Sequence, residues 1–187
     1  MGLLDFLFGK PQRYDAHSSL PALAESRLPS VGPNVLNLRV GDVVGYDGVD
    51  YVIRNRHVYN SHGFKWYSYH LVDVVSGRKF WLDAEDDDEL IVAICEPVQL
   101  DLNGRVPSTL HHNREAFYED EHGFANVLIE SEASGPKHSS VEYWDFYNED
   151  DSRFLSVERW GGETEASIGR YIQPFELTLY GSGASHA

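Results

Sequence analysis

Two segments of the chain alternate strictly. Ala125, Val127 and Ile129 interleave with Asn126, Leu128 and Glu130, and Phe175, Leu177 and Leu179 interleave with Glu176 and Thr178. A period of two marks a strand with one face buried. Elsewhere short apolar and aromatic runs are cut by turn residues at intervals of about 8–12 residues, the rhythm of an antiparallel all-β sandwich or barrel. Asp47-Gly48 between Val43–Tyr46 and Tyr51–Tyr59 predicts a tight hairpin. Further strands are predicted at Trp66–Val75, Lys79–Ala84, Glu89–Glu96, Thr109–His112, Ala116–Glu121, Phe124–Ser131, Val141–Tyr147, Phe154–Trp160, Thr164–Ile168 and Phe175–Tyr180. Turns are predicted at Asn60–Gly63, Ser76-Gly77, Asn113-Arg114 and His122-Gly123, with a loop at Asp86–Asp88. No βαβ spacing is present, which excludes a doubly wound α/β fold.

The pattern is said twice. Trp66-Tyr67-Ser68-Tyr69, Lys79-Phe80-Trp81-Leu82 and a segment opened by Glu89 match Trp144-Asp145-Phe146-Tyr147, Arg153-Phe154-Leu155-Ser156 and a segment opened by Glu163. This predicts two pseudo-repeated meander halves, residues 36–98 and 106–180, within one β domain at 36–180. Residues 1–35 read as an apolar segment and linker, and 181–187 as a flexible tail. In the first of these, Leu3, Leu4, Leu7 and Phe8 share one face of a short amphipathic helix, with Phe6 at its side and Gly9 and Pro11 ending it. So many large apolar side chains need a surface to cover them. That surface is the protein's own body, a partner's groove or a membrane interface.

Charge narrows the partners. The chain of 187 residues has a formal net charge of −15, which repels phosphate backbones and argues against nucleic acid. Cationic small molecules, polyamines and divalent ions would be attracted. Cys95 is the single cysteine, so no internal disulfide forms and a reducing cytosol is expected. No stretch nears the roughly 20 apolar residues a spanning helix needs, and the start does not read as a secretory signal. The expected location is the cytoplasm, with the periphery of the inner membrane as the alternative.

Several phrases together resemble a family of bacterial proteins, the domain of unknown function 4178. They are Val40-Gly41-Asp42-Val43-Val44 with Tyr46-Asp47-Gly48 and Tyr51-Val52, Trp66 with Tyr69 and Leu71, and Trp81-Leu82 with Glu85-Asp86-Asp87. Tyr143 with Phe146-Tyr147, and Leu155–Trp160 with Gly169 and Ile172-Gln173-Pro174, complete them. The resemblance spans roughly residues 38–180 and implies a cytosolic bacterial β domain with no catalytic residues to carry over. Its members are often encoded near membrane-stress and polyamine-related genes, which favours a membrane-associated reading slightly. One departure is Tyr67-Ser68, where relatives carry an acidic residue before the tyrosine.

The chemistry-bearing residues admit bland readings as well. Glu85–Glu89 is a dense acidic run that could attract Ca²⁺ or polyamines, but it lacks an EF-hand pattern and reads first as a solvated turn. His111, His112 and His122 fall at opposite ends of a predicted strand, too far apart for one ion. No metal and no cofactor is expected. Nucleophile-elbow and phosphate-loop motifs are absent. Trp66, Tyr69, Trp81, Tyr143, Trp144, Tyr147 and Trp160 could line a groove or simply pack as core. Glu85 and Glu158 take equivalent places in the two copies and could approach each other about a pseudo-twofold axis. The candidate groove is therefore Trp66, Tyr69, Glu85, Trp144, Tyr147 and Glu158, and no residue is assigned a catalytic role. The expected function is a non-enzymatic binding or scaffold module that docks to a protein complex or membrane surface through Leu3–Phe8. The alternatives are a small-molecule or polyamine/cation-binding protein, or a small hydrolase with its site between the halves.

Overall fold

The computed structural model describes residues 33–102 and 104–181. The expected N-terminal helix, with Leu3, Leu4, Phe6, Leu7 and Phe8, and the tail beyond Gly181 lie outside the described residues.

The described chain forms β1 (Val43–Tyr46), β2 (Val49–Ser61), β3 (Phe64–Val72), β4 (Lys79–Asp87), β5 (Glu89–Val98) and β6 (Thr109–His112). These are followed by β7 (Glu115–Ser131), β8 (Lys137–Tyr147), β9 (Phe154–Trp160), β10 (Glu163–Ile172) and β11 (Leu177–Tyr180). Every pairing is antiparallel. The ladder runs β2-β3-β4-β5-β10-β9-β8-β7, and β7 then pairs back onto β2. Eight strands therefore close into a barrel, which removes the edges that an open sheet would expose. Of the two architectures the alternation allows, the molecule adopts the barrel.

Local chemistry sets the hairpins. Asp47 and Gly48 have φ of 50° and 73°, and Asn113 and Arg114 have 50° and 69°. Left-handed conformations at both central residues twist a two-residue turn to match its strands. The Asp86–Asp88 loop is shorter than expected: β4 runs through Asp87, and the chain reverses at Asp88, whose φ is 60°.

Two bulges give β2 and β7 a double life. The β2–β3 register slips between Ile53 and Asn55, and the β7–β8 register between Glu119 and Glu121. Before each bulge the strand's buried side chains (Tyr51 and Ile53, or Phe117) join cores on the outer face of the barrel. After it, the same parity points inward: His57 and Tyr59 on β2, Glu121 and Gly123 on β7. An extra residue inverts the facing of everything that follows.

The outer faces are the apolar ones. Tyr69, Leu71, Phe80, Leu82, Val92 and Ile94 are covered by Val35, Leu38, Val44, Tyr46 and the start of β2. On the other side Trp144, Phe146, Leu155 and Val157 are covered by Phe117, Leu110, Val106 and the 100–102 segment.

Two expectations are corrected. His122-Gly123 is not a turn, because β7 passes through it unbroken. Gly123 sits opposite Tyr143, and a Cβ there would lie 2.6 Å from the Tyr143 Oη. The glycine admits a ring rather than a reversal. The repeat also slips by one residue. Trp66 faces the interior, where its cross-strand partner is Glu85. The inward residue in the matching position of the second meander, opposite Glu158, is Tyr143 and not Trp144.

Candidate functional site

The barrel interior holds a cavity of about 1160 Å³. Its walls are built by every second residue of the strands. From β4 come Trp81, Asp83 and Glu85, from β3 Trp66, Ser68 and His70, from β9 Phe154, Ser156 and Glu158, and from β8 Tyr143 and Asp145. On β3, β4 and β9 the apolar residues pack outward under flanking segments, and the polar and aromatic ones face in. On β7 and β8 the inward face is apolar at Ala125, Val127 and Val141, which pack with Tyr59 and Tyr143.

Four carboxyl groups meet here. Asp83 accepts hydrogen bonds from the Ser68 hydroxyl and, at 3.0 Å, from the Cys95 thiol. Asp145 accepts from Ser156. Glu158 accepts from the Tyr59 hydroxyl, reaching in from β2, and from Trp160 Nε1 at 3.0 Å. Glu85 is only 7% exposed, and its Oε1 has no hydrogen-bond partner.

Burial dominates their titration. Desolvation, then repulsion from Asp145, Asp87, Asp83 and Glu121, pushes Glu85 up to about 7. Desolvation pushes Asp145 up to about 7, opposed by the Ser156 hydrogen bond and reinforced by Glu121 and Asp83. Glu158 rises to about 8, again first through desolvation. Asp83 is raised for the same reason, against the pull of Cys95 and Ser68. Among the described residues, no cation opposes these shifts. The ion pairs among the described residues join Arg54, Arg56, Arg78, His122, Arg153 and Arg159 to Glu132, Glu130, Glu96, Glu115 and Glu142, and none reaches the four interior acids. Among the described residues, Lys79 is the one lysine or arginine that touches the cavity, near His70.

Aromatic rings complete the walls. Trp66 stacks on Tyr59 at 4.8 Å and meets Tyr143 edge-on at 5.5 Å. His57 and His70 lie 4.8 and 4.9 Å from Trp81. Burial lowers His57 to about 4, so it is neutral near pH 7. Tyr147 and Tyr171 share a hydrogen bond of 3.1 Å between hydroxyls. Phe154 lies over Gly169, where a Cβ would be 2.1 Å from its ring. The Cys95 thiol is fully enclosed and raised well above its ordinary value by burial and by Asp83, which leaves it a packing residue and not a nucleophile.

The proposed groove residues divide. Trp66, Glu85 and Glu158 line the cavity, and Tyr147 packs beneath it against Cys95 and Phe154. Tyr69 and Trp144 lie on the outer face, Tyr69 fully enclosed in one core and Trp144 stacked on His122 at 4.7 Å. The largest charge contributions to Glu158 come from Asp83 and Asp145, not from Glu85. Sequence reasoning missed Asp83, Asp145, Ser68, Ser156 and Tyr59. A usable signal existed in β4, where Trp81, Asp83 and Glu85 interleave with Phe80, Leu82 and Ala84. A large aromatic among the acids of a polar face is unusual for a solvent-facing edge. Among the described residues, no three His, Cys, Asp or Glu side chains are grouped as one metal ion would require, and no helix is long and apolar enough to cross a membrane.

A closed antiparallel barrel with an acidic, aromatic interior is the class of protein that the fold and cavity define. The family model for the domain of unknown function DUF4178 matches residues 39–174, and the chain belongs to that family. It is also similar to uncharacterized proteins of Mycobacterium bovis and of two Mycobacterium tuberculosis strains, CDC 1551 and H37Rv. Each is 29% identical over 165 residues, covering 84% of this chain and 78% of the relative. No solved structure matches the chain.

Proposed function

We propose that the protein is a non-enzymatic binding module whose barrel interior takes up a small organic cation. The observation that carries this reading is Glu85, nine-tenths buried in the cavity wall with an unpartnered oxygen, among three further acids that have no basic partner among the described residues. Buried charge is normally paired, and an ammonium group would supply the missing counter-charge. The rings of Trp66, Trp81 and Tyr143 suit such a guest, since an aromatic face attracts a desolvated cation. Volume agrees: about 1160 Å³ exceeds what a small ligand fills, leaving space for water. Asp87, Glu121 and Glu165 also line the cavity, and their negative field attracts cations. The test is isothermal titration at pH 8 and low salt with butylammonium, butyrate and butanol. The cation alone should bind, and Glu85→Gln should weaken it by about tenfold or more. Equal or absent heat for all three would end the proposal.

The same cavity meets one requirement of a hydrolase, since it holds Glu85 and Glu158 in a polar pocket. The walls, however, supply few donors for a developing oxyanion. Barrel backbone amides are committed to ladder bonds, and Ser68 and Ser156 are committed to aspartates. Binding is therefore the better-supported reading. Hydrolysis of chromogenic esters or glycosides that is lost in both Glu85→Gln and Glu158→Gln would reverse that order. Docking to a protein complex or membrane surface through Leu3–Phe8 is a separate proposal, on residues outside those described. Unchanged localisation and complex formation after deletion of residues 1–10 would refute it.

A further inference from the structure

The cavity is built twice over. On β3 and β4, Trp66 stands opposite Glu85 and Ser68 opposite Asp83. On β8 and β9, Tyr143 stands opposite Glu158 and Asp145 opposite Ser156. Each meander thus presents, at two successive inward levels, an aromatic–glutamate pair and a serine–aspartate pair. In the ring order β2-β3-β4-β5-β10-β9-β8-β7, the β3–β4 and β8–β9 pairs lie four strands apart, on opposite walls. One station is therefore Glu85 with Asp83, and the other is Glu158 with Asp145. Between and beside them lie Trp66, Tyr143 and Trp160, which meet across the interior through Tyr59.

Resting on the reading of the interior as a cation site, we infer that its ligand is a linear aliphatic amine with two ammonium groups, one held at each station. Three observations favour two charges over one. The acids come as two pairs on facing walls and not as one cluster on a single wall. No ion pair among the described residues satisfies either pair. A single ammonium would leave one pair buried without a counter-charge, which is costly. The levels along each wall are about 6.8 Å apart, so a flexible methylene chain can span from one wall to the other and rest against the aromatic side chains.

The experiment compares diaminopentane with pentylamine, which share a chain and differ by one ammonium. Both are titrated calorimetrically into the full-length protein at pH 8 and low ionic strength. The diamine should bind at least about tenfold tighter, the gain expected when a second contact becomes intramolecular. Glu85→Gln and Glu158→Gln, one from each station, should each bring the diamine down to near the pentylamine affinity. Glu132→Gln, on the outer surface, should change nothing. Equal affinity for the two amines in the unaltered protein would overturn the two-station inference and leave the single-cation reading standing. Failure of both amines to bind would overturn the two together. The comparison in the unaltered protein needs no variant to fold.

Discussion

Strand β4 has two faces that differ more than their spacing suggests. Phe80, Leu82 and Ala84 are at most 2% exposed, sealed beneath Val35, Leu38, Val44, Tyr46 and the β2 start. Trp81, Asp83 and Glu85, one residue away in each case, line a cavity. The outward face packs into a core, and the inward face lines the cavity. The same division holds on β9, where Leu155 and Val157 pack outward and Ser156 and Glu158 face in. On the proposed reading, packing and binding fall on opposite sides of one sheet, so substitutions on the two sides should behave in opposite ways.

The largest effect is expected on the outer face. Leu82→Ala should cost about 2–5 kcal/mol, because Leu82 has no exposure and its cavity would be dry. Denaturant unfolding measures this, and a loss below 1 kcal/mol (on the order of a surface change) would break the comparison. Next come the two glycines that make room for inward rings. Gly169→Ala places a Cβ against the Phe154 ring and should cost about 1–3 kcal/mol by overpacking. Thermal melts should show a smaller effect at Gly135→Ala, where nothing lies within 4 Å.

On the inner face the sign reverses. Glu158→Gln should stabilise the ligand-free protein at pH 8 by about 1–3 kcal/mol, discounted for water in the cavity, and do little at pH 4. The pH dependence follows from the same shifts. Glu85, Asp145 and Glu158 are carboxyls raised in the folded state to about 7, 7 and 8. Between the unfolded values near 4 and these, the native state binds more protons than the unfolded one. These groups therefore take nothing from stability below about pH 4, and they subtract progressively as pH rises to about 8. Melting temperature should fall over that window, and less steeply in Glu158→Gln. The smallest effect concerns His57. Held down to about 4 against about 6.5 in the unfolded chain, it costs stability as pH falls through that window, so His57→Gln should raise stability by under about 1 kcal/mol at pH 6 and leave it unchanged at pH 8.

Much of the scaffold could be read in the sequence, because hairpins are local. Asp47-Gly48 and Asn113-Arg114 announced their turns through residues that tolerate positive φ. What alternation cannot supply is its sign. A period of two says that Asp83 and Leu82 face opposite ways, and a polar face is by default assigned to water. Only the closure of β7 onto β2 makes that face an interior, and this pairing joins residues more than sixty apart, such as Asn60 and Asn126. The bulges at Arg54 and Asp120 hide in the same way, since one added residue leaves no mark in composition yet inverts the strand beyond it. The repeat alignment likewise matched letters without matching the direction in which they face. Trp66 and Trp144 match as letters, but Trp66 is inside the barrel and Trp144 lies between His122 and Arg159 on its outer face.

The account turns on whether the interior acids are short of a counter-charge. Carbon-13 NMR titration of the side-chain carboxyls, with and without diaminopentane, measures that directly. The expected result is that Glu85, Asp145 and Glu158 titrate near 7, 7 and 8 in the free protein and fall well below those values once the amine is bound. Carboxyls that all titrate near 4 and do not respond to the amine would contradict it.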